Sequence, residues 1–485
     1  METSWIAIAA VTLVCLLFLF KFLKTKKTYG YSNLPNGSLG LPLIGETLSF
    51  IRAHKKEQGA EWIDQRVAKY GPVFKTSLFG APVVFIIGLA GNKFVLGSGE
   101  DVLSAAHPKR ISDLQGPNTL FQLSGSRYRL IKRAMLSFLK PESLRNYVKR
   151  MDDVVNALFL KEIKEKDSTI LQTVSFMKKL TFNLSCEILF GIHDEATKEA
   201  FMDDFHILFK ALWSFHINFP GSAYPKGLQA RARICDRLRP ILRKRKEAIA
   251  EGVMCPTHDV VSCLLDLKDE NGEPISEDTV VDNLTLLVIA SHDTTAVLLG
   301  LMVWKLSNDK HTYSQVLQEQ MDVLREREAG TEGKLTWVDI QKMKYTWQVA
   351  QELMRMIPPI SSAHRKVLKD TSFGGYDIPK GWQVTSMTHS THMEKDIFNS
   401  PTEFDPSRFD KSANPLPPYA YIPFGAGVHS CIGNEFARIE ALTTIHNLVT
   451  KFEWSLVHPD ETITRKTMPY PSMGLPIKIH PRATT

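Results

Sequence analysis

Paired cysteines are missing from this sequence. The six present are Cys15, Cys186, Cys235, Cys255, Cys263 and Cys431, irregularly spaced. That spacing excludes a disulfide framework and leaves no zinc knuckle or iron–sulfur ligand set, and a reducing compartment fits it. A strong charge of one sign is also missing. The formal net charge is +7 over 485 residues, so no nucleic-acid partner is expected. So mild a surplus reads as solubility, or as a basic docking face for an acidic protein. No internal repeat and no low-complexity tract is visible. With 44% of residues hydrophobic, the composition is globular rather than disordered. Charge is wholly missing from Thr3–Phe20, an apolar run of 18 residues.

Eighteen residues is the lower limit for a membrane span. Lys21, Lys24, Lys26 and Lys27 follow at once, which places that side in the cytosol. A cleaved signal peptide is the alternative. No basic residue precedes the apolar run and no small-x-small site precedes the lysines, so a retained anchor over 1–27 is expected. Leu34-Pro35-Asn36-Gly37-Ser38-Leu39-Gly40-Leu41-Pro42 cannot continue a helix. It sets a hinge over 28–45, and the domain carrying the chemistry is expected over 46–485.

Within that domain most of the sequence has helical period. Trp62–Tyr70 reads as a short helix, and Val73–Leu78 with Pro82–Ile87 as a hairpin around Phe79-Gly80-Ala81. Further strands are expected at Trp382–Met387 and near Ile477. Glu277–Asn308 is a long apolar stretch with few breakers, which predicts a buried helix. Phe201–Pro220 carries an aromatic stripe including Phe209, Trp213 and Phe219, read as one helix. The fold class is therefore mainly α with small β-sheets.

The most informative stretch is Phe424-Gly425-Ala426-Gly427-Val428-His429-Ser430-Cys431-Ile432-Gly433. Its glycines permit a tight loop. Asn434–Phe452 follows, with Phe436, Ile439, Leu442, Ile445 and Leu448 at helical spacing. A cysteine opening a helix meets free N–H groups and positive potential, which favour a thiolate. A free cysteine in a glycine turn is the bland alternative. With no second cysteine nearby, a single axial thiolate on haem iron is the metal chemistry left open.

Phe424-x-x-Gly427-x-His429-x-Cys431-x-Gly433 resembles the haem-binding loop of the cytochrome P-450 family. The resemblance runs from the apolar N-terminal stretch to about Arg482 and implies the P-450 fold behind an N-terminal transmembrane helix. It implies haem b with Cys431 as axial iron ligand, and Phe424, His429 and Gly433 around it. Ala290-Ser291-His292-Asp293-Thr294-Thr295 resembles the family's oxygen-binding motif, with Ser291 where a glycine usually stands. Cleaving O–O needs protons, which an acid–alcohol pair supplies; Asp293 and Thr294 are the pair implied. A back-bonded helical threonine is the simpler reading of Thr294. Leu287, Ala290, Ser291, Thr294 and Leu298 share one helical face. The family's propionate-binding helix corresponds to Gly125–Arg133, where Tyr128 and Lys132 stand at i,i+4 in place of the usual aromatic–Arg pair, and Arg365 matches a further propionate-binding arginine. Arg127, Arg129 and Arg133 read as a solvated face suited to a reductase. Glu352-Leu353-Met354-Arg355 with Arg408 in Phe404-Asp405-Pro406-Ser407-Arg408-Phe409 resembles the family's structural Glu–Arg–Arg triad. Phe209, Trp213, Leu287, Ala290, Ser291, Ile360 and Ala363 are implied to line the substrate cavity. His389 and His392 read as structural.

Val428-His429-Ser430-Cys431 looks like plant members acting on triterpenoids, steroids and taxane-like diterpenoids. The resemblance implies a monooxygenase of the endoplasmic reticulum membrane, cytosolic in its catalytic part. Its electrons would come from NADPH through NADPH-cytochrome P-450 reductase, its partners being that reductase, membrane lipid and an apolar small molecule. Three alternatives stand beside a cyclic isoprenoid substrate. One is another plant hormone, fatty acid or phenolic; one is a reductase-independent hydroperoxide isomerase or lyase; one is a non-catalytic haem protein.

Overall fold

Among the described residues, ten strands and a set of helices position the site. The computed structural model describes residues 12, 31, 33–42, 44–165, 170–214, 218–327, 333–410, 412, 414–465 and 468–482; all but one residue of the expected anchor lies outside these. The strands are β1 (Val73–Leu78), β2 (Ala81–Ile86), β3 (Leu103–Ser104), β4 (Ile170–Gln172), β5 (Ser362–Val367), β6 (Thr371–Phe373), β7 (Tyr376–Ile378), β8 (Gln383–Met387), β9 (Phe452–Leu456) and β10 (Pro476–Pro481). Six helices carry the argument: α1 (Gly125–Leu139), α2 (Thr173–Leu184), α3 (Glu195–Leu212), α4 (Glu277–Asn308), α5 (Lys344–Met356) and α6 (Asn434–Lys451). The fold is thus mainly helical with small sheets, as the sequence predicts.

The contacts divide the chain into two units. The smaller comprises Met1–Ala105, Ser361–Asn399 and Leu416–His429. It holds a five-stranded sheet in the order β1-β2-β8-β5-β3. β1 and β2 pair antiparallel, Val73 opposite Ile86, while β2 and β8 run parallel with Val84 beside Val384. Val84, Ile86, Val95, Val367, Trp382 and Val384 form its buried core. The hairpin turn is one residue shorter than predicted. Phe79 and Gly80 both take positive φ (52° and 79°), the two-residue geometry that matches strand twist. Thr47 Oγ1 accepts the Phe79 N–H at 2.7 Å and helps hold a non-glycine residue there. His392 is buried; its Nε2 accepts the Ile422 N–H at 3.0 Å and its ring stacks on Tyr421.

The larger unit comprises Ala106–Ile360, Ser400–Pro415 and Ser430–Thr485. At its centre runs α4. Ser276 caps it by accepting the Thr279 N–H, and Glu277 and Asp278 in its first turn complement the positive end. Its mean apolarity equals that of a membrane span, yet most of it is buried inside this unit. It packs against α2, α5, α6 and the helix Ala223–Ala250. The aromatic stripe of α3 ends earlier than its composition predicts. The helix stops at Leu212, and residues 218–220 are not helical. Ser214 bonds back to the Ala211 carbonyl at 2.8 Å, and the residue before Pro220 is disfavoured from helical geometry.

Candidate active site

Cys431 follows a 3₁₀ turn at Gly427–His429 and stands two residues before Gly433, the N-cap of α6. Its sulfur accepts the Gly433 N–H. One side of the residue is exposed, while protein crowds the other. Burial pushes the thiol above its ordinary pKa, and the Gly433 N–H and the charge of Lys132 only partly oppose that. The helix terminus alone therefore does not make a thiolate here; a cation bound at the sulfur would. Gly427 is fixed by close approach. Its φ is +70°, and a Cβ there would sit 2.2 Å from the Leu96 carbonyl oxygen.

Lys132 lies beside this loop. On α1 its Nζ donates to the Ser430 carbonyl at 3.3 Å and lies 5.7 Å from the centre of the buried Tyr128 ring. Arg127, Arg129 and Arg133 on the same helix are exposed. Phe424, His429, Arg365 and Ala363 belong to the smaller unit. There His429 Nε2 is 3.5 Å from Glu100 Oε1. Arg365, on β5, donates to the His364 carbonyl at 2.8 Å.

The middle of α4 departs from its surroundings. Every residue from Thr279 to Val288 is buried, as is every residue from Thr295 to Val303. Between them Ala290 is exposed, and Ile289, Ser291 and Thr294 are half-exposed. This window carries the acid–alcohol motif. The Thr294 hydroxyl donates to the Ala290 carbonyl at 2.7 Å. Asp293 turns to the buried side. Its Oδ1 is 3.0 Å from Lys178 Nζ, accepts the Tyr470 hydroxyl at 3.0 Å and is 3.2 Å from His292 Nδ1. Burial would raise the carboxyl, but the His292 hydrogen bond and the Lys178 charge hold it well below the usual carboxylate range. The same burial, with Asp293 beside it, pushes the Tyr470 hydroxyl far above its ordinary value. His292 also stacks on Phe209 of α3 at 4.4 Å between ring centres. Of the other predicted lining residues, Leu287 is buried, while Trp213 and Ile360 are exposed.

Glu352 and Arg355 are fully buried on α5, with Arg355 Nε donating to Glu352 Oε2 at 2.7 Å and Nη2 to Oε1 at 2.8 Å. Arg408 Nε reaches Glu352 Oε1 at 3.3 Å, and the Asp405 N–H donates to the same oxygen at 2.9 Å. Arg355 also donates to the Pro401 carbonyl at 2.8 Å.

These residues fit a haem. A soft sulfur with one open side and a backbone N–H on it suits iron as an axial ligand. Within the exposed stretch of α4 the side chains at Ala290, Ser291 and Thr294 are small, so a flat group could approach the backbone there. The sequence matches the family model described as Cytochrome P450 over residues 35–479.

The chain belongs to the cytochrome P450 family.

This P450 is 34% identical over 480 residues to the taxane 13-alpha-hydroxylase of Taxus cuspidata, covering 98% of each chain. It is 35% identical over 477 residues to the beta-amyrin 28-monooxygenase of Vitis vinifera, covering 98% of this chain and 97% of that one. Among solved structures it is similar to the retinoic-acid-bound cyanobacterial CYP120A1. The TM-score is 0.82 at 28% identity, over 93% of this chain and 99% of the other. As a member it is a monooxygenase-type oxidoreductase that takes a haem with a thiolate-bound iron, receives electrons from a reductase and acts on a hydrophobic substrate. Sequence reasoning missed Lys178 and Tyr470, which hold Asp293. They lie 115 and 177 positions away along the chain, and no local pattern marks them.

Proposed function

We propose that this P450 hydroxylates or further oxidises a bulky cyclic isoprenoid, a triterpenoid or diterpenoid, at a membrane. The observation that carries the catalytic part is the exposed window at Ala290 in an otherwise buried helix, bearing Thr294 and adjoining Asp293. The haem, when bound through Cys431, supplies the activation of dioxygen. Lys132 and Tyr128, beside the Ser430 carbonyl that precedes Cys431, are the side chains of this unit assigned to its propionates. Asp293 relays protons from solvent when its ion pair with the half-exposed Lys178 opens. Thr294 passes them to the Ala290 face, since its hydroxyl can exchange the Ala290 carbonyl for another acceptor. Glu352, Arg355 and Arg408 fix the fold and take no part in the chemistry.

The substrate class rests on the named relatives together with the character of the chain. Taxane and beta-amyrin enzymes lie within the same similarity range, and the candidate lining residues Leu287, Ala290, Ile360 and Ala363 are uncharged. Burial of apolar surface at ~25 cal/mol per Å² would then supply most of the binding energy. We assign residues 1–27 as a single-pass anchor in the endoplasmic reticulum membrane, with 28–45 as hinge and 46–485 as the cytosolic catalytic domain. Leu41, Ile44 and Leu48 are exposed around the end of that hinge, which suits contact with lipid. The test offers reductase-supplemented microsomes triterpene, diterpene, sterol, fatty-acid and phenolic panels. Turnover of a triterpene or diterpene is expected. Turnover confined to the fatty-acid and phenolic panels would refute the isoprenoid assignment.

A further inference from the structure

The oxygen-handling stretch of α4 is gripped from one side by a polar stripe on its neighbour. Lys178, Thr181 and Ser185 recur at steps of three and four, so they share one face of α2 and its continuation. They meet three consecutive residues of α4. Lys178 Nζ holds the Asp293 carboxylate at 3.0 Å. Thr181 Oγ1 lies 3.1 Å from the His292 carbonyl oxygen. Ser185 Oγ lies 2.8 Å from Ser291 Oγ. At Ser185 the α-helix gives way to a π-helical turn, Ser185–Leu189, the kind of local widening found most often at functional sites.

Counting protons gives the Ser185–Ser291 bond a direction. Each hydroxyl has one proton. Ser185 is within 2.9 Å of the Thr181 carbonyl, which can only accept. Its proton goes there, so Ser291 is the donor in the pair. The competing acceptor for Ser291, the Val288 carbonyl, is at 3.4 Å, a much poorer bond. Ser291 lies about 60° round the helix from Thr294 at 3.6 residues per turn, on the edge of the window. Turned to another staggered rotamer, its hydroxyl would join Thr294 on the exposed face.

We propose that Ser185 is a positioning residue. By accepting the single Ser291 proton it keeps that hydroxyl out of the oxygen-handling face and leaves Thr294 as the group that passes protons there. The clamp rests on the reading of α4 as the oxygen-handling helix.

The test uses the haem-loaded P450 with its reductase, NADPH and dioxygen, and no added substrate. It reads how the consumed dioxygen divides between hydrogen peroxide and water. Ser185→Ala should raise the ratio of peroxide to water by about two- to tenfold, the range one hydrogen bond controls. Ser185→Thr, which restores an acceptor, should return it toward the parent value. Ser185→Ala combined with Ser291→Ala should release less peroxide than Ser185→Ala alone, because no stray hydroxyl remains; a merely structural Ser185 would leave the double variant as poor as the single one. A crystal structure of Ser185→Ala should show Ser291 in a new rotamer. An unchanged rotamer, an unchanged peroxide fraction, or a double variant as uncoupled as the single would each overturn the clamp. A parent protein lacking the thiolate-type carbon monoxide spectrum would instead overturn the catalytic reading, and the Ser291 rotamer would still decide the clamp.

Discussion

Removing the Glu352 carboxylate should be among the most destabilising single changes on α5. The acid sits between two guanidinium groups, one of which has no route to water: Glu352 and Arg355 are both 0% exposed, and Arg408 is 12% exposed. Glu352→Ala leaves the Arg355 charge buried without its carboxylate partner, and it strips the Asp405 N–H of its acceptor. Breaking a buried pair by deleting one partner costs about 3–5 kcal/mol. Arg408→Ala is a milder test of the same cluster. Its bond is longer, its head group partly hydrated, and Glu352 keeps Arg355 and the Asp405 N–H. A charged hydrogen bond of this kind is worth about 1.5–3 kcal/mol, and exposure places Arg408 at the low end. Glu352→Gln keeps the shape and one acceptor but loses the charge, so it should fall between. Urea unfolding of the three haem-loaded variants, followed by circular dichroism, gives the order Glu352→Ala, Glu352→Gln, Arg408→Ala from least to most stable. A Glu352→Ala variant as stable as Arg408→Ala would refute the reasoning, since it would mean that the Arg355 charge reaches water.

Cys431→Ser should abolish the thiolate-type carbon monoxide spectrum of the reduced protein; an unchanged spectrum would exclude Cys431 as the ligand. Thr294→Ala should lower product formed per NADPH consumed and raise the ratio of peroxide to product by about tenfold, below the range a fully positioned proton donor contributes. Coupling that survives Thr294→Ala but not loss of the Ser291 hydroxyl would transfer the role to Ser291. His446 is buried with its pKa pushed down to about 3, first by burial and then by Arg327 and Lys451. A base depressed in the folded state is stabilising above its unfolded pKa near 6.5 and loses that as pH falls. Unfolding free energy should drop by about 1.4 kcal/mol per pH unit below 6.5 on this account, and His446→Gln should flatten that slope; equal slopes in the two proteins would count against it.

What the sequence made legible follows the range of the interactions. The bounds of α4 were readable because Ser276 caps it, acids follow at once, and apolar residues continue to Asn308. The pairing of Glu352 with Arg355 was readable as i,i+3 neighbours, although nothing local says that both are sealed from water. The aromatic run beyond Leu212 misled, since aromatic density imitates a buried helical face even after the helix has ended at Leu212. The surroundings of Asp293 were not readable at all. A carboxylate one residue before a threonine suggests a free proton carrier, whereas the fold ties it to Lys178, Tyr470 and His292, brought from distant parts of the chain. The helix-terminus argument for Cys431 was sound in sign, but burial, which sequence does not reveal, outweighs it.

The packing of α4 sets the timetable of biosynthesis. One partner, α2, precedes it in the chain, but α6, which covers another part of it, begins only at Asn434. After Asn308 leaves the ribosome, roughly 126 more residues must be added before that cover starts to appear. At about 5–20 residues per second the wait is on the order of 6–25 s. Throughout it a helix as apolar as a membrane span stands partly bare in a nascent chain. Messages truncated in that interval should yield insoluble fragments bound by chaperones, and slowing translation just upstream of codon 434 should lower the yield of folded enzyme more than slowing it downstream.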